Sequence, residues 1–158
     1  MTLTILNPPV PLNHGVGQSC LEVWRATPHA RHGWIKAGYP ARDAKALLQA
    51  LDLNQAGVFR ALNLSVATVN KKAKAGERLT TDESERVLGV AKLIGQLEAI
   101  VEESGDPVGF DAAAWMSRWL SEPLPALGGV KPIDLLDTME GQALVSRSLA
   151  QMQSGAFA

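Results

Sequence analysis

Few residues of this chain have a type and spacing suited to catalysis. The three histidines, His14, His29 and His32, and the only cysteine, Cys20, all lie in the first 32 residues, with no Asp or Glu near them on a strongly predicted element. A catalytic site needs a nucleophile, a base and their partners to converge. Nothing around Cys20 indicates the lowered pKa of a reactive thiol. We therefore interpret the histidines as surface or turn residues and do not assign Cys20 a catalytic role.

Two aspartates near the C-terminus, Asp134 and Asp137, are three residues apart and would share one face of a helix. Metal sites usually bring further ligands at short fixed intervals, such as Cys-x-x-Cys. No such interval occurs in this sequence, so the two carboxylates are better explained as charges at a helix end. We expect no metal ion, no cofactor and no enzymatic activity.

The segment PALGGVKPIDLLDTMEG, residues 125–141, sets two glycines beside a lysine, as a phosphate-binding loop would. However, it lacks the GxxxxGK[ST] pattern, and no strand precedes it. Pro125 and the glycines are typical of a tight joint, Pro132 can open a short helix, and Thr138 can cap the last helix. We therefore predict a joint between helices, with Gly141 at a close helix contact.

Apolar residues recur at three- and four-residue spacing from residue 40 onward, which predicts an all-α fold. A capping box of Thr80 with Glu83 begins a long helix that ends near Glu103. Further helices are expected over residues 110–121 and 138–155, and no segment alternates as a strand would. The inward-facing residues predicted for the last helix are Leu144, Val145, Leu149 and Met152.

Residues 51–76, LDLNQAGVFRALNLSVATVNKKAKAG, have the pattern of a helix-turn-helix, in which the second helix is rich in small polar and basic residues. Ser65 is a good N-cap for that helix and Gly76 a good C-cap. Its apolar face is thin, with only Val66, Val69 and Ala73, which is unusual for a purely structural helix. We predict DNA binding through polar groups facing bases or backbone and cations facing phosphates: Gln55, Ser65, Thr68, Asn70, Lys71, Lys72, Lys74 and Arg78.

The net charge of −1 conceals two oppositely charged halves. Residues 1–81 hold ten Lys or Arg against four Asp or Glu, whereas residues 82–158 hold five against twelve. This split favours two partners of opposite charge, one of them nucleic acid, although chance clustering of solvated charges also fits. The sequence shows no signal peptide and no apolar run of the roughly 20 residues that a membrane helix needs. We expect a cytoplasmic protein.

The order of these parts resembles a known family. A Cro-like helix-turn-helix and a long helix are followed by WLSEPLPALGGVKPIDLLDTMEGQALVSRSLAQMQSG. This stretch is similar to the C-terminal domain of Xre/MbcA/ParS antitoxins, which has a pattern of the form WL…P…ALGG…P…LL…T…G…V…L…G. The matching residues are Trp119, Leu120, Pro123, Ala126, Leu127, Gly128, Gly129, Pro132, Leu135, Leu136, Thr138, Gly141, Val145, Leu149 and Gly155.

The resemblance covers residues 40–158 and implies an antitoxin with an N-terminal extension (1–39), a helix-turn-helix domain with the long helix (40–104) and a helical toxin-binding domain (105–158). Its implied partner is a RES-domain toxin that consumes NAD+ and whose active site the C-terminal domain obstructs. The helix-turn-helix, within a homodimer, would bind the promoter of its own operon. The residues expected to contact the toxin are Gly128, Gly129, Lys131, Arg147, Gln151, Gly155, Ala156, Phe157 and Ala158.

Three alternatives stay open at this point. The apolar tail could enter a toxin pocket through Phe157, or it could be frayed and do nothing. The chain could also be a stand-alone transcriptional regulator whose acidic half only dimerises. A third possibility is a small helical enzyme that uses Asp134, Asp137 or Cys20, which substitution of all three residues would test.

Overall fold

The computed structural model describes residues 16–105 and 107–153. Within these ranges the chain forms eight α-helices and two short 3-10 helices and no β-strand, which confirms the all-α prediction. The 3-10 helices are Pro125–Leu127 and Pro132–Leu135. The α-helices are α1 (Val16–Arg25), α2 (Pro28–Ala37), α3 (Ala41–Gln49), α4 (Gln55–Ala61), α5 (Val66–Ala75), α6 (Thr81–Ser104), α7 (Ala112–Leu120) and α8 (Met139–Gln153).

The long helix α6 is the centre of the molecule. It begins at the predicted capping box, in which the Glu83 amide donates to the Thr80 hydroxyl (3.2 Å) and the Thr80 amide donates to the Glu83 carboxylate (2.9 Å). Half of its 24 residues are buried, and α1, α2, α7 and α8 all pack on it. A helix covered on most of its circumference belongs to the core. Because α1 and α2 pack on it as well as α7 and α8, α6 connects the N-terminal and C-terminal parts of the chain.

The first helix, α1, lies unusually close to α6. A Cβ atom added at Gly95 would stand 1.9 Å from the carbonyl oxygen of Cys20, so only glycine permits this approach. Farther along, Arg25 pairs with Glu102 at 2.7 Å, so the two helices run parallel. Cys20 and Val23 are fully buried. The described part of the region before residue 40, to which the family resemblance gave no role, therefore contributes to the core.

The predicted helix-turn-helix consists of α4 and α5, with α5 packed on α3. Asn63 in the turn takes a φ of 53°, a left-handed conformation that asparagine tolerates better than most residues. The next amide, that of Leu64, donates to the Phe59 carbonyl at 2.8 Å, and Leu62, Leu64 and Val69 are buried beneath the turn. The turn is thus held by both backbone geometry and apolar contacts.

The C-terminal part packs α7 and α8 against α6, and the second 3-10 helix contacts α4, α7 and α8. Asp111 caps α7, which is shorter than the helix predicted over residues 110–121, and the rings of Trp115 and Trp119 stack at 5.9 Å. In α8, Val145 and Leu149 are buried as predicted. The prediction was wrong for Leu144 and Met152, which are 43% and 41% exposed.

The exposure of Leu144 follows from how α8 is seated, whereas Met152, seven residues after the buried Val145, is exposed because it lies in the last turn of the helix. The helix packs through Gly141, Val145, Ser148 and Leu149. A Cβ atom at Gly141 would stand 1.8 Å from the Leu135 carbonyl oxygen, so the glycine face is pressed against the second 3-10 helix. Leu144 lies three residues from Gly141 and outside the narrow strip that this contact buries. The close contact predicted at Gly141 is present, although its partner is a 3-10 helix.

Candidate functional site

One face of α5 carries most of the side chains predicted to bind DNA. The Ser65 hydroxyl accepts from the Thr68 amide at 3.2 Å, so it caps the helix as predicted. Val69 and Ala73 face the core, whereas Asn70, Lys71 and Lys74 are exposed and Thr68 is half-buried. The second helix of a helix-turn-helix enters the major groove with its N-terminal residues on base edges. The exposed face of α5 has the residue types for that position.

Gln55 is turned into the protein and away from this face. Its side-chain amide donates to the carbonyls of Leu48, Leu51 and Leu53 at 3.0, 3.4 and 3.3 Å. These carbonyls belong to the end of α3 and the connection to α4, so Gln55 fixes the position of the bracing helix. The geometry supports a positioning role for Gln55 rather than the predicted contact with DNA.

Two predicted phosphate contacts, Lys72 and Arg78, already have partners within the chain. The Lys72 ammonium donates to Glu83 at 3.2 Å, and the Arg78 guanidinium donates to the Gly38 carbonyl at 2.7 Å. Burial would raise the pKa of Glu83, but hydrogen bonds from the Thr80 amide, from Lys72 and from the Thr80 hydroxyl hold that pKa below its usual value. Among the lysines of α5, Lys71 and Lys74 are therefore the better placed to meet phosphates.

Val66 is a candidate for DNA recognition that the sequence interpretation assigned to the buried face. It is the first residue of α5 and is 42% exposed. A small apolar side chain at the start of a recognition helix can contact the methyl group of thymine. The Ser65 cap was the available signal, because it fixes which residues form the first turn.

Replacing Lys71 or Lys74 by alanine is expected to lower DNA affinity and to reduce its salt dependence. Each lost phosphate contact reduces the slope of log affinity against log salt by about 0.9. Fluorescence anisotropy with promoter DNA measures this slope between about 50 and 200 mM salt, a range wide enough to show the change in affinity. Lys72→Ala serves as the matched control and should change the slope less, because Glu83 holds that ammonium. Equal changes in all three variants would contradict this assignment.

The glycine joint, residues 124–131, is closed on itself. Gly128 and Gly129 have φ values of 70° and 82°, a region that side chains other than glycine rarely enter. Their amides donate to the carbonyls of Pro125 and Leu124 at 3.0 and 2.9 Å, and the Leu124 amide donates to the Val130 carbonyl at 3.2 Å. Because both glycine amides are used inside the joint, they are not arranged to cradle a phosphate.

The residues predicted to bind a toxin lie on two separate surfaces. Lys131 lines a cavity of about 490 Å³ beside α4, together with Asn54 and Arg60. Arg147 lines a groove of about 480 Å³ between α6 and α8, together with Lys92, and the two share no lining residue. Burial and then Arg31 lower the pKa of Lys92. Gln151 is on the exposed side of α8, and Gly155, Ala156, Phe157 and Ala158 lie outside the described residues.

The C-terminal part also exposes apolar side chains that the sequence interpretation either buried or did not single out. Val130 is at the tip of the glycine joint, Met139 begins α8, Leu144 is on its outer side, and Met152 is in its last turn. Leu144 and Gln151 are seven residues apart, so they lie on one stripe of the helix. These exposed apolar side chains are candidates for a contact with another protein. Such a surface is not visible from helical periodicity alone.

The described residues considered for catalysis lie on different elements: His29 and His32 are exposed on α2, and Cys20 is buried in α1. His14 lies outside the described residues. Burial and then the charge of Glu98 raise the pKa of the Cys20 thiol far above its usual range, which disfavours the reactive thiolate. Asp134 and Asp137 both line the cavity beside α4 and have no catalytic partner there. Over residues 16–105 and 107–153 no three His, Cys, Asp or Glu side chains come together as metal ligands would. No helix in the same ranges is both long and apolar enough to cross a membrane.

Two family models match consecutive parts of the chain. Residues 30–92 match the antitoxin Xre-like helix-turn-helix domain, and residues 96–155 match the antitoxin Xre/MbcA/ParS C-terminal toxin-binding domain. The first match begins within α2, and the second begins within α6 and covers α7, the glycine joint and α8. The exposed face of α5 thus lies in the first matched segment and the exposed face of α8 in the second.

Two curated proteins are similar to this chain. The "Prs ADP-ribosylating antitoxin" of a Sphingobium species is 63% identical over 136 residues, which cover 86% of either chain. The "Antitoxin Xre" of Pseudomonas putida is 28% identical over 92 residues, covering 58% of this chain and 52% of the other. The first similarity covers most of both chains.

Proposed function

Since this chain belongs to the Xre/MbcA/ParS-type antitoxin family, we propose that it neutralises a RES-type toxin encoded beside it by covering the toxin active site through its C-terminal domain. The observation that carries the proposal is the exposed face of α8, where Leu144 and Gln151 stand outside the buried strip. That face lies within the matched toxin-binding domain. The acidic C-terminal half of the chain would steer this domain toward a basic nucleotide-binding cleft.

We propose further that the toxin consumes NAD+. The printed name of the Sphingobium relative refers to ADP-ribosylation. In ADP-ribosylation the bond between nicotinamide and ribose breaks, the ribose carbon bonds to an acceptor nucleophile, and nicotinamide leaves. If water is the acceptor, the same cleavage degrades NAD+. A RES-type partner of this chain would therefore deplete NAD+ in either case, and the fate of the ADP-ribose distinguishes the two.

The second proposed activity is repression of the chain's own operon from the cytoplasm, as a homodimer. One helix-turn-helix reads a short half-site, and two copies related by symmetry read paired half-sites with much higher affinity. The exposed basic face of α5 and the positive half of the chain support promoter DNA as the ligand. Val66, Asn70, Lys71 and Lys74 are the residues we propose for that contact.

Co-expression tests the antitoxin proposal directly. Cells that express the neighbouring gene alone are expected to lose NAD+ and stop growing, and co-expression of this chain should restore both. Purified toxin given labelled NAD+, with and without a protein acceptor, would then show whether ADP-ribose is transferred or released. Continued arrest in the presence of soluble antitoxin would refute neutralisation and leave a stand-alone regulator as the better interpretation.

Deleting residues 155–158 is expected to weaken toxin binding at least tenfold and DNA binding much less. Phe157 is the only large apolar side chain of this tail, Gly155-Ala156-Phe157-Ala158. The free energy gained by burying this side chain in a pocket must exceed the cost of ordering the tail, which is about 1–2 kcal/mol per residue. Titration calorimetry with toxin and anisotropy with DNA measure the two affinities, and Phe157→Ala should reproduce most of the loss. Equal weakening of both activities would show that the tail has a structural role instead.

A further inference from the structure

A further cavity, separate from the cavity beside α4 and from the groove between α6 and α8, has an acidic side chain on its wall. It has a volume of about 490 Å³ and lies where the end of α3, the middle of α6 and the start of α7 meet. Glu98 is on its α6 wall, and Phe110 and Asp111 come from the segment before α7. Its other lining residues are mostly small: Ala50, Gly109, Ala112 and Ala113, together with Ile94.

Glu98 is incompletely satisfied within the chain. Its Oε1 atom is buried and accepts no hydrogen bond, although the residue as a whole is only half-buried. The described residues form two ion pairs, Arg25 with Glu102 and Lys72 with Glu83, and neither includes Glu98. A buried carboxylate oxygen without a partner costs free energy. The residue that lines this cavity thus carries a carboxylate oxygen to which the described residues supply no donor.

We propose that this cavity receives an arginine side chain of the toxin, with Glu98 as its carboxylate partner. A guanidinium supplies paired N–H donors in the plane that a carboxylate requires. The ring of Phe110, which is 37% exposed, gives the planar cation a surface to stack on. The small residues around the cavity leave room for the side chain. This inference rests on the proposed function, because the arginine belongs to the proposed toxin partner.

Docking of a cation at Glu98 should expel a proton. Burial and then the charge of Glu102 raise the pKa of Glu98 to about 7, so near neutral pH about half of the free molecules carry a proton there. The other titratable groups facing it are the Cys20 thiol of α1, which stays neutral, Glu102 on α6, which Arg25 pairs, and Asp111, which caps α7. A guanidinium favours the ionised carboxylate, so toxin binding becomes linked to proton release at Glu98.

Calorimetric titration of the full chain with the product of the neighbouring toxin gene tests this coupling. The titration is run near pH 7 in phosphate and in Tris. Because the ionisation enthalpies of the two buffers differ, the difference between the two binding enthalpies gives the number of protons released. Wild type is expected to release about half a proton more than Glu98→Gln and to bind at least tenfold more tightly. Phe110→Ala should weaken binding severalfold while the proton release persists. Equal proton release and affinity in wild type and Glu98→Gln would overturn the inference.

Two controls separate the possible failures. Glu122→Gln removes the same charge from an exposed position, so it reports general steering and should leave proton release unchanged. Glu98→Gln is close to isosteric, and its thermal unfolding when free should show no loss of stability. A wild-type chain that does not bind the toxin would overturn the proposed function and this inference with it. Normal wild-type binding that is insensitive to Glu98→Gln would overturn the inference alone.

Discussion

Gly95→Ala is expected to lower the free energy of unfolding by about 2–3 kcal/mol, because the added methyl group overlaps a backbone atom. The new Cβ would stand 1.9 Å from the Cys20 carbonyl oxygen and 2.9 Å from the Trp24 Cβ. Backbone cannot rotate aside as a long side chain can, so α1 must move away from α6. Thermal and denaturant unfolding measure the loss directly. Because Cys20 is buried against α6, its reaction rate with a thiol reagent should rise as well.

Gly33→Ala is the matched control for this change. Gly33 lies in α2, and an added Cβ there meets no atom within 4 Å. Alanine in a helix is favoured over glycine by roughly 0.5–1 kcal/mol, so this variant should be unchanged or slightly more stable. If Gly95→Ala were as stable as Gly33→Ala, then α1 would not be seated on α6 as described, and the N-terminal region would not be part of the core.

The features that the sequence predicted correctly are those set by local physics. The capping box of Thr80 and Glu83 and the Ser65 cap depend on residues three positions apart. The turns at Gly76 and Gly128 need left-handed backbone that glycine supplies at little cost. Each of these interactions is complete within one turn of chain, so the residue types alone were enough to identify it.

The side-chain roles that the sequence did not predict depend on partners contributed by other helices and loops. Lys72 pairs with Glu83 on another helix, and the Gln55 amide faces carbonyls contributed by the preceding helix and loop. Both residues have types that are common at DNA interfaces. Only the packing of α3, α5 and α6 shows that the Lys72 ammonium and the Gln55 side-chain N–H donors are already engaged.

The buried and exposed faces of α8 show the same limit on a larger scale. Periodicity identified the apolar residues of α8 but not which of two adjacent strips of the helix is covered. Leu144 and Val145 are neighbours in sequence, yet only Val145 is buried. The choice is made by Gly141, whose missing side chain lets the Leu135 carbonyl approach. Glu98 is a similar case, since its isolation depends on the meeting of three segments that periodicity cannot place.

Gly141→Ala is therefore expected to weaken toxin binding more than tenfold while DNA binding changes much less. The new Cβ would stand 1.8 Å from the Leu135 carbonyl oxygen and 2.7 Å from its carbon, so α8 and the second 3-10 helix cannot keep their present contact. Their displacement would disturb the exposed strip of α8. The expected cost in stability is about 2–3 kcal/mol. DNA binding should change less because α5 itself is packed on α3, although the second 3-10 helix also contacts α4.

Glu140→Ala provides the comparison, since Glu140 is exposed in the first turn of the same helix and alanine adds no atom to the Leu135 contact. It should bind toxin within about twofold of wild type, apart from a small loss of the favourable interaction between an acidic residue and the helix dipole. Toxin affinity and promoter affinity are measured on the same preparations, so partial unfolding would lower both together. A selective loss of toxin binding would show that Gly141 seats α8 for the toxin; an equal loss of both would show that the contact holds the whole chain together.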